Sequence, residues 1–218
     1  MKKAILTIAI IGICSISCKK EAENKVTDNS TISDSATVSN ENTVAAPKDS
    51  VAMQKAWEKY MTPGDAHKTL AAENGNWDAE ATMYMSANDP KPQKTKMTAT
   101  SKMILGGRYQ EERFTGSMMG QPFEGISTVA YNNATKQIES TWVDNMGTGM
   151  MFMKGNYDGT SKTMEIKGEF TDPMTGKTKP LRQTYTMADA DSRKMEMFEV
   201  DENGKEYKSM EIVMTRKK

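Results

Sequence analysis

The sequence has little of what builds most catalytic and metal centres. Of 218 residues only two are cysteine, Cys14 and Cys18, and only one is histidine, His67. Both cysteines lie near the start, so the chain beyond them has no disulfide, no thiolate nucleophile and no cysteine metal ligand. It also lacks charge of one sign: 29 Lys and Arg face 29 Asp and Glu. No basic stripe interrupts that balance, which excludes nucleic acid as a partner. There is no glycine-rich phosphate loop, no nucleophile paired with a histidine, and no carboxylate pair at a recognisable catalytic spacing. An enzyme is therefore the weaker functional class, and no cofactor is implied. Leucine and phenylalanine, the usual core fillers, are scarce, with four and five residues.

Methionine takes their place. There are 20, of which 17 fall from Met83 onward. In that part of the chain apolar and polar residues alternate. From Trp77, the residues Trp77, Ala79, Ala81, Met83 and Met85 share one face, against Asp78, Glu80, Thr82, Tyr84 and Ser86. Period two marks a half-buried strand. About ten such runs follow one another, the first over 77–86 and the last over 206–216, the eighth starting at Leu181. Nearly every break holds Gly, Asn, Asp or Pro, which supply turn dihedrals. No amphipathic helix intervenes. The spacing predicts an all-β domain of sequential antiparallel strands, either a closed up-and-down barrel or a sandwich. Closure removes the edges that invite aggregation, so the expected fold is an antiparallel up-and-down β-barrel of about ten strands. Two short helices should precede it. One, in "DSVAMQKAWEKYM", puts Met53, Ala56, Trp57, Tyr60 and Met61 on a stripe; the other spans about 65–73, with His67, Leu70 and Ala71 on one face. Both are placed to plug or cover a barrel end.

The first 48 residues read differently. Lys2 and Lys3 precede the apolar "AILTIAIIGICSIS", too short to span a bilayer comfortably, and Ser17-Cys18 is followed by charged "KKEAE". This resembles a bacterial lipoprotein signal over 1–17, in which Cys18 is lipidated and becomes the mature N-terminus; an ordinary cleaved signal is the alternative. Residues 18–48 are rich in Ser, Thr, Asn, Asp and Glu and have no aromatic residue. Such a segment cannot bury enough apolar surface to offset its ordering entropy. It reads as a disordered tether reaching roughly 30 Å. The expected organisation is thus signal (1–17), tether (18–48) and barrel domain with its helices (49–218). The expected address is the cell envelope, with the membrane as partner through the N-terminal lipid.

Several blocks carry a family resemblance: "PGDAHKTLAAENGNW", "GGRYQEERFTGSMMGQPFEG", "STWVDNMGTGM", "GEFTDPMTGK" and "DENGKEYKSMEIVMTRK". Over about 61–217 the chain resembles a bacterial domain-of-unknown-function family of exported proteins and lipoproteins. It departs from that pattern at Asn132, where a Tyr-Asp-Asn turn is usual, and at Met214, where an aromatic is common. The family implies no activity. A looser resemblance is to lipocalin-like (calycin) barrels, in which a Gly-x-Trp on the first strand packs against a basic residue on the last. Gly75, Trp77 and Arg216 stand in those places, and the resemblance implies that the Arg216 guanidinium packs on the Trp77 ring.

The candidate site follows from strand parity. Met83, Met97 and other methionines share the inward parity with small residues such as Ala79, Ala99 and Ser101, and flexible thioethers can line an adaptable cavity. Met-x-Met pairs could instead gather Cu(I), or simply fill the core. Trp142, Asp144 and Arg182 are the residues expected to orient a polar head, with Glu111, Glu124 and Glu196 as further charges inside strands. A barrel of this size either encloses one small, mostly apolar ligand or fills with side chains. The two readings, a ligand-binding barrel and a structural or interaction barrel with a solid core, both remain. His67 is either a general base or haem ligand, or a capping residue.

Overall fold

The computed structural model describes residues 49–218; the expected signal over 1–17, the expected lipidation at Cys18 and the expected tether over 18–48 lie outside the described residues. Two helices come first, α1 (Ser50–Met61) and α2 (Asp65–Ala71). Ten strands follow: β1 (Gly75–Met83), β2 (Gln93–Ile104), β3 (Tyr109–Met118), β4 (Gln121–Asn132), β5 (Gln137–Asp144), β6 (Met151–Asp158), β7 (Thr163–Thr171), β8 (Thr178–Met187), β9 (Ser192–Val200) and β10 (Glu206–Arg216). Each pairs antiparallel with its neighbour in sequence, and β1 pairs with β10, so the sheet closes. The ten-stranded barrel expected from turn spacing is the fold this chain adopts.

Closure is set by the parity read from the sequence. Trp77 lies opposite Arg216, Ala79 opposite Met214 and Ala81 opposite Ile212. All the apolar residues of these pairs are buried. Small alanines on β1 leave room for the large side chains that cross from the other strands. The strand over "TKPLRQTYTM" begins earlier than Leu181 because Pro180 lies within it, opposite Glu169. The β8–β9 ladder starts only at Arg182, so β8 has one side unpaired at Pro180, the setting in which a proline is tolerated.

Both helices belong to one end of the barrel, where β1 starts and β10 finishes. α2 buries His67 and Leu70, and the Gln110 side chain of β3 donates to the Leu70 carbonyl at 2.7 Å. α1 departs from expectation: none of its residues is buried, and Met53, Trp57, Tyr60 and Met61 are all exposed. It is held instead through backbone. The Asn133 amide, in the β4–β5 turn, donates to the carbonyls of Lys59, Tyr60 and Thr62 at its C-terminus. Only α2 acts as a plug.

Candidate functional site

The two ends of the barrel interior differ in kind. At the α2 end the inward positions carry charge. Arg193 on β9 is 2 % exposed and donates to Glu73 at 2.7 Å. Its other terminal nitrogen donates to Glu112 of β3 and, at 3.2 Å, to the Ser101 hydroxyl of β2. The Tyr185 hydroxyl donates to Glu73. Trp77 is clasped between two guanidiniums. Arg193 lies 3.9 Å from its ring centroid and Arg216 4.2 Å, and the indole N–H donates to the Glu73 carbonyl at 3.1 Å. Arg216 also donates to the carbonyls of Ala72, Asn74 and Ala190, which ties the end of β10 to the chain leaving α2. Gly75 is where that chain turns: its φ is +139°, and a Cβ there would sit 2.7 Å from an Arg216 nitrogen.

Burial and pairing set the charge states. Burial pushes the Glu73 carboxyl up, with Arg193 and Tyr185 pulling the other way. The Tyr185 hydroxyl is raised well above its ordinary value by burial and by the neighbouring Glu73. Burial works against the Arg193 charge, yet Glu112, Tyr185 and Glu73 together hold its pKa above the usual arginine value. One cation between two carboxylates in a dry interior favours a retained proton on the Glu73–Tyr185 pair. The Arg193 Nε has no hydrogen-bond partner among the described residues, a cost carried by an otherwise satisfied network.

The opposite end is hollow. A cavity of about 210 Å³ opens there, and nine of its lining side chains are methionine, among them Met97, Met151, Met153, Met195 and Met197. Phe114, Phe123 and Trp142 complete the apolar wall, and Glu112 and Tyr185 form its floor, so the charge network closes the cavity from below. Trp142 stacks on Phe123 with centroids 6.3 Å apart and meets Phe114 edge-on at 5.7 Å. The ring lies flat because β4 has Gly125 beneath it, where a Cβ would come within 2.4 Å of the indole. Its N–H donates to Asp144 at 2.7 Å, and the other Asp144 oxygen accepts the Met146 amide at 2.9 Å.

The structure gathers some of the sequence-predicted residues and disperses others. Trp142, Asp144 and Met97 line the cavity together. Arg182 does not: Leu181, Gln183 and Tyr185 take the inward parity of β8, which turns Arg182 outward onto Glu206 and the Phe198 ring. Asp144 is therefore bonded to Trp142 and not to Arg182, which pairs with Glu206. Met83 sits at the last position of β1 and faces a shallow outer depression with Pro92 and Met119. Met85 falls past the strand end and is exposed. Glu111, Glu124 and Glu196 are not cavity residues; Glu111 pairs with Arg113 and Lys102, and Glu196 with Lys194 and Lys208. His67 Nδ1 accepts the Gly64 amide at 3.0 Å, a helix-capping contact, and its ring meets Tyr131 edge-on. Among the described residues no group of three His, Cys, Asp or Glu side chains is placed to hold a metal ion, and no helix is long and apolar enough to cross a membrane. Arg193, Glu73, Glu112 and Tyr185 were not anticipated. Charged residues at inward parity, Glu112 before Phe114 and Arg193 before Met195, are the signal that marks two of them.

The family model described as "Protein of unknown function (DUF1579)" matches residues 62–216. No curated protein matches the sequence. Among solved structures the fold is similar to that of Rv2717c from M. tuberculosis, with a TM-score of 0.52 and 14% identity over 72% of this chain and 100% of that one. A redesigned β-barrel matches with a TM-score of 0.35 and 11% identity, over 68% of this chain and 95% of that one. The first likeness concerns the fold alone, and the second is too distant to bear on the site.

Proposed function

We propose, for a chain that belongs to the DUF1579 family and so inherits no assigned activity, that it binds a small, mostly apolar ligand inside the barrel. The observation that carries this reading is the cavity of about 210 Å³ walled by methionine and aromatic side chains. An apolar cavity of roughly 150 Å³ already holds a benzene-sized guest. Methionine suits such a wall because its three rotatable bonds let it repack around different shapes. The charge network supports the same reading from below: it holds Trp77, Tyr185 and Glu112 rigidly, so one end stays fixed while the other adapts.

In the same proposal the domain works in the cell envelope, lipidated at Cys18 and carried on the 18–48 tether. Incorporation of labelled lipid that survives Cys18→Ala would end that part. The binding part is tested by thermal shift against a panel of small hydrophobes. A ligand present at 100 times its dissociation constant adds about 2.7 kcal/mol. Native mass spectrometry of protein from its own host would show a co-purified guest. An empty spectrum and no shift with any panel member would leave a purely structural barrel.

A further inference from the structure

If the cavity binds an apolar ligand, as proposed above, the groups on its wall also set the sign of that ligand's head. The ionisable side chains lining it are Glu112, Tyr185 and Asp144; no lysine, arginine or histidine lines it. Glu112 is engaged by Arg193 and Ser101. Asp144 has no such counter-charge. Its oxygens accept one hydrogen bond each, from the Trp142 indole and the Met146 amide. Among the described residues it forms no ion pair. A carboxylate has about four acceptor positions, so roughly half of its capacity is unused.

Three aromatic rings stand beside it. Trp142, Phe123 and Phe114 form one cluster, stacked on one side and edge-on on the other. A ring face is electron-rich and attracts a cation placed within about 6 Å of its centroid, most strongly for tryptophan. The Asp144–Trp142 hydrogen bond ties the free carboxylate to that cluster. The methionine sulfurs that form most of the rest of the wall are weak acceptors and offer no donor; Ser127, Ser140 and Gln183, which also line it, are uncharged. Every charged group of the wall that is not already paired is thus negative, and the rings beside it are electron-rich. A fatty-acid head would meet an uncompensated carboxylate and no cation, a like-charge juxtaposition that opposes binding.

We propose that the cavity takes a small lipophilic cation, an alkyl or aryl ammonium, with its head between Asp144 and the Phe114, Phe123 and Trp142 rings and its apolar part among the methionines. Three probes with one tail separate head from tail: octyltrimethylammonium, octanoate and 1-octanol, titrated calorimetrically into the full chain below their aggregation concentrations. The ammonium is expected to bind at least about ten-fold more tightly than octanol, and octanoate more weakly than octanol. Asp144→Asn should remove most of the ammonium's advantage and leave octanol unchanged. Raised salt should weaken only the ammonium, which tests the same point in the unaltered protein. Equal affinity for all three probes, or tighter octanoate, overturns the cation proposal while leaving the apolar cavity reading intact. Binding of none of the three overturns both.

Discussion

The α2 end and the mouth of this barrel solve the same problem in opposite ways. Both must fill the interior of a ten-stranded sheet. At the α2 end it is filled by Trp77, Tyr185 and Arg193, each fixed by hydrogen bonds or by a guanidinium against a ring. At the mouth it is bordered by flexible thioethers and left partly empty. The first arrangement specifies one geometry and leaves a single buried side-chain atom among the described residues, the Arg193 Nε, without a partner. The second tolerates many shapes and specifies little. The contrast shows how one uniform meander of strands can be rigid at one end and adaptable at the other, through side chains alone.

The sharpest way to break that contrast is to remove the cation at the closed end. Arg193→Met leaves Glu73 and Glu112 buried without their partner, and a loss of about 3–5 kcal/mol is expected in urea unfolding. A loss below about 1 kcal/mol would show that the network is ornamental to stability. A smaller effect is expected at the mouth from Gly125→Ala. The new methyl meets the Trp142 indole, and overpacking of this kind costs about 1–3 kcal/mol. The displaced indole should change its fluorescence in the same sample. Smaller again is Met195→Leu, a volume-conserving change in an adaptable wall, expected to cost less than about 1.5 kcal/mol by thermal unfolding. A larger loss would mean the methionines pack as tightly as the closed end.

The gentlest probe is pH. Folded Tyr185 holds its proton more strongly than the unfolded chain does, because burial and Glu73 raise its pKa. Above about pH 10 the folded state therefore binds more protons, and stability falls as pH rises. Tyr185→Phe should flatten that alkaline slope. On the acid side burial, with Arg108 nearby, lowers the His67 pKa. Its contribution is complete above about pH 6.5 and is lost as pH falls through the lowered folded value. Both slopes belong to the α2 end, so a substitution at the mouth such as Met195→Leu should leave them unchanged.

The barrel was legible because it rests on local signals. Alternation from Trp77 and turn residues between runs announce strands one at a time, and ten consecutive antiparallel strands leave few ways to close. Trp77 and Arg216 were legible for the same reason, since the first and last strands must meet. The charge network was not. Arg193 finds Glu73 120 residues away and Glu112 81 residues away. Nothing local in "SRKMEMF" or "QEERF" says that these charges meet. Arg182 shows the converse. In "LRQTY" both Arg182 and Gln183 are polar, so the pattern does not say which one faces inward, and a shift of one residue exchanges the two faces. Trp142 and Asp144 were legible as a same-face pair, whereas the room beneath the indole depends on Gly125 lying across from them in the next strand.

The pairing of β1 with β10 also has a consequence in time. Nine of the ten strand pairs join neighbours in the chain. Each of these can form by closing a short loop, and short loops close quickly. The tenth joins the first strand to the last and must overcome the loop-closure entropy of nearly the whole domain. Until it forms, β1 and β10 are two open edges, the form of sheet most prone to pair with another chain. Arg216, clasping Trp77 and three carbonyls, thus fastens the seam whose closure costs the most loop entropy.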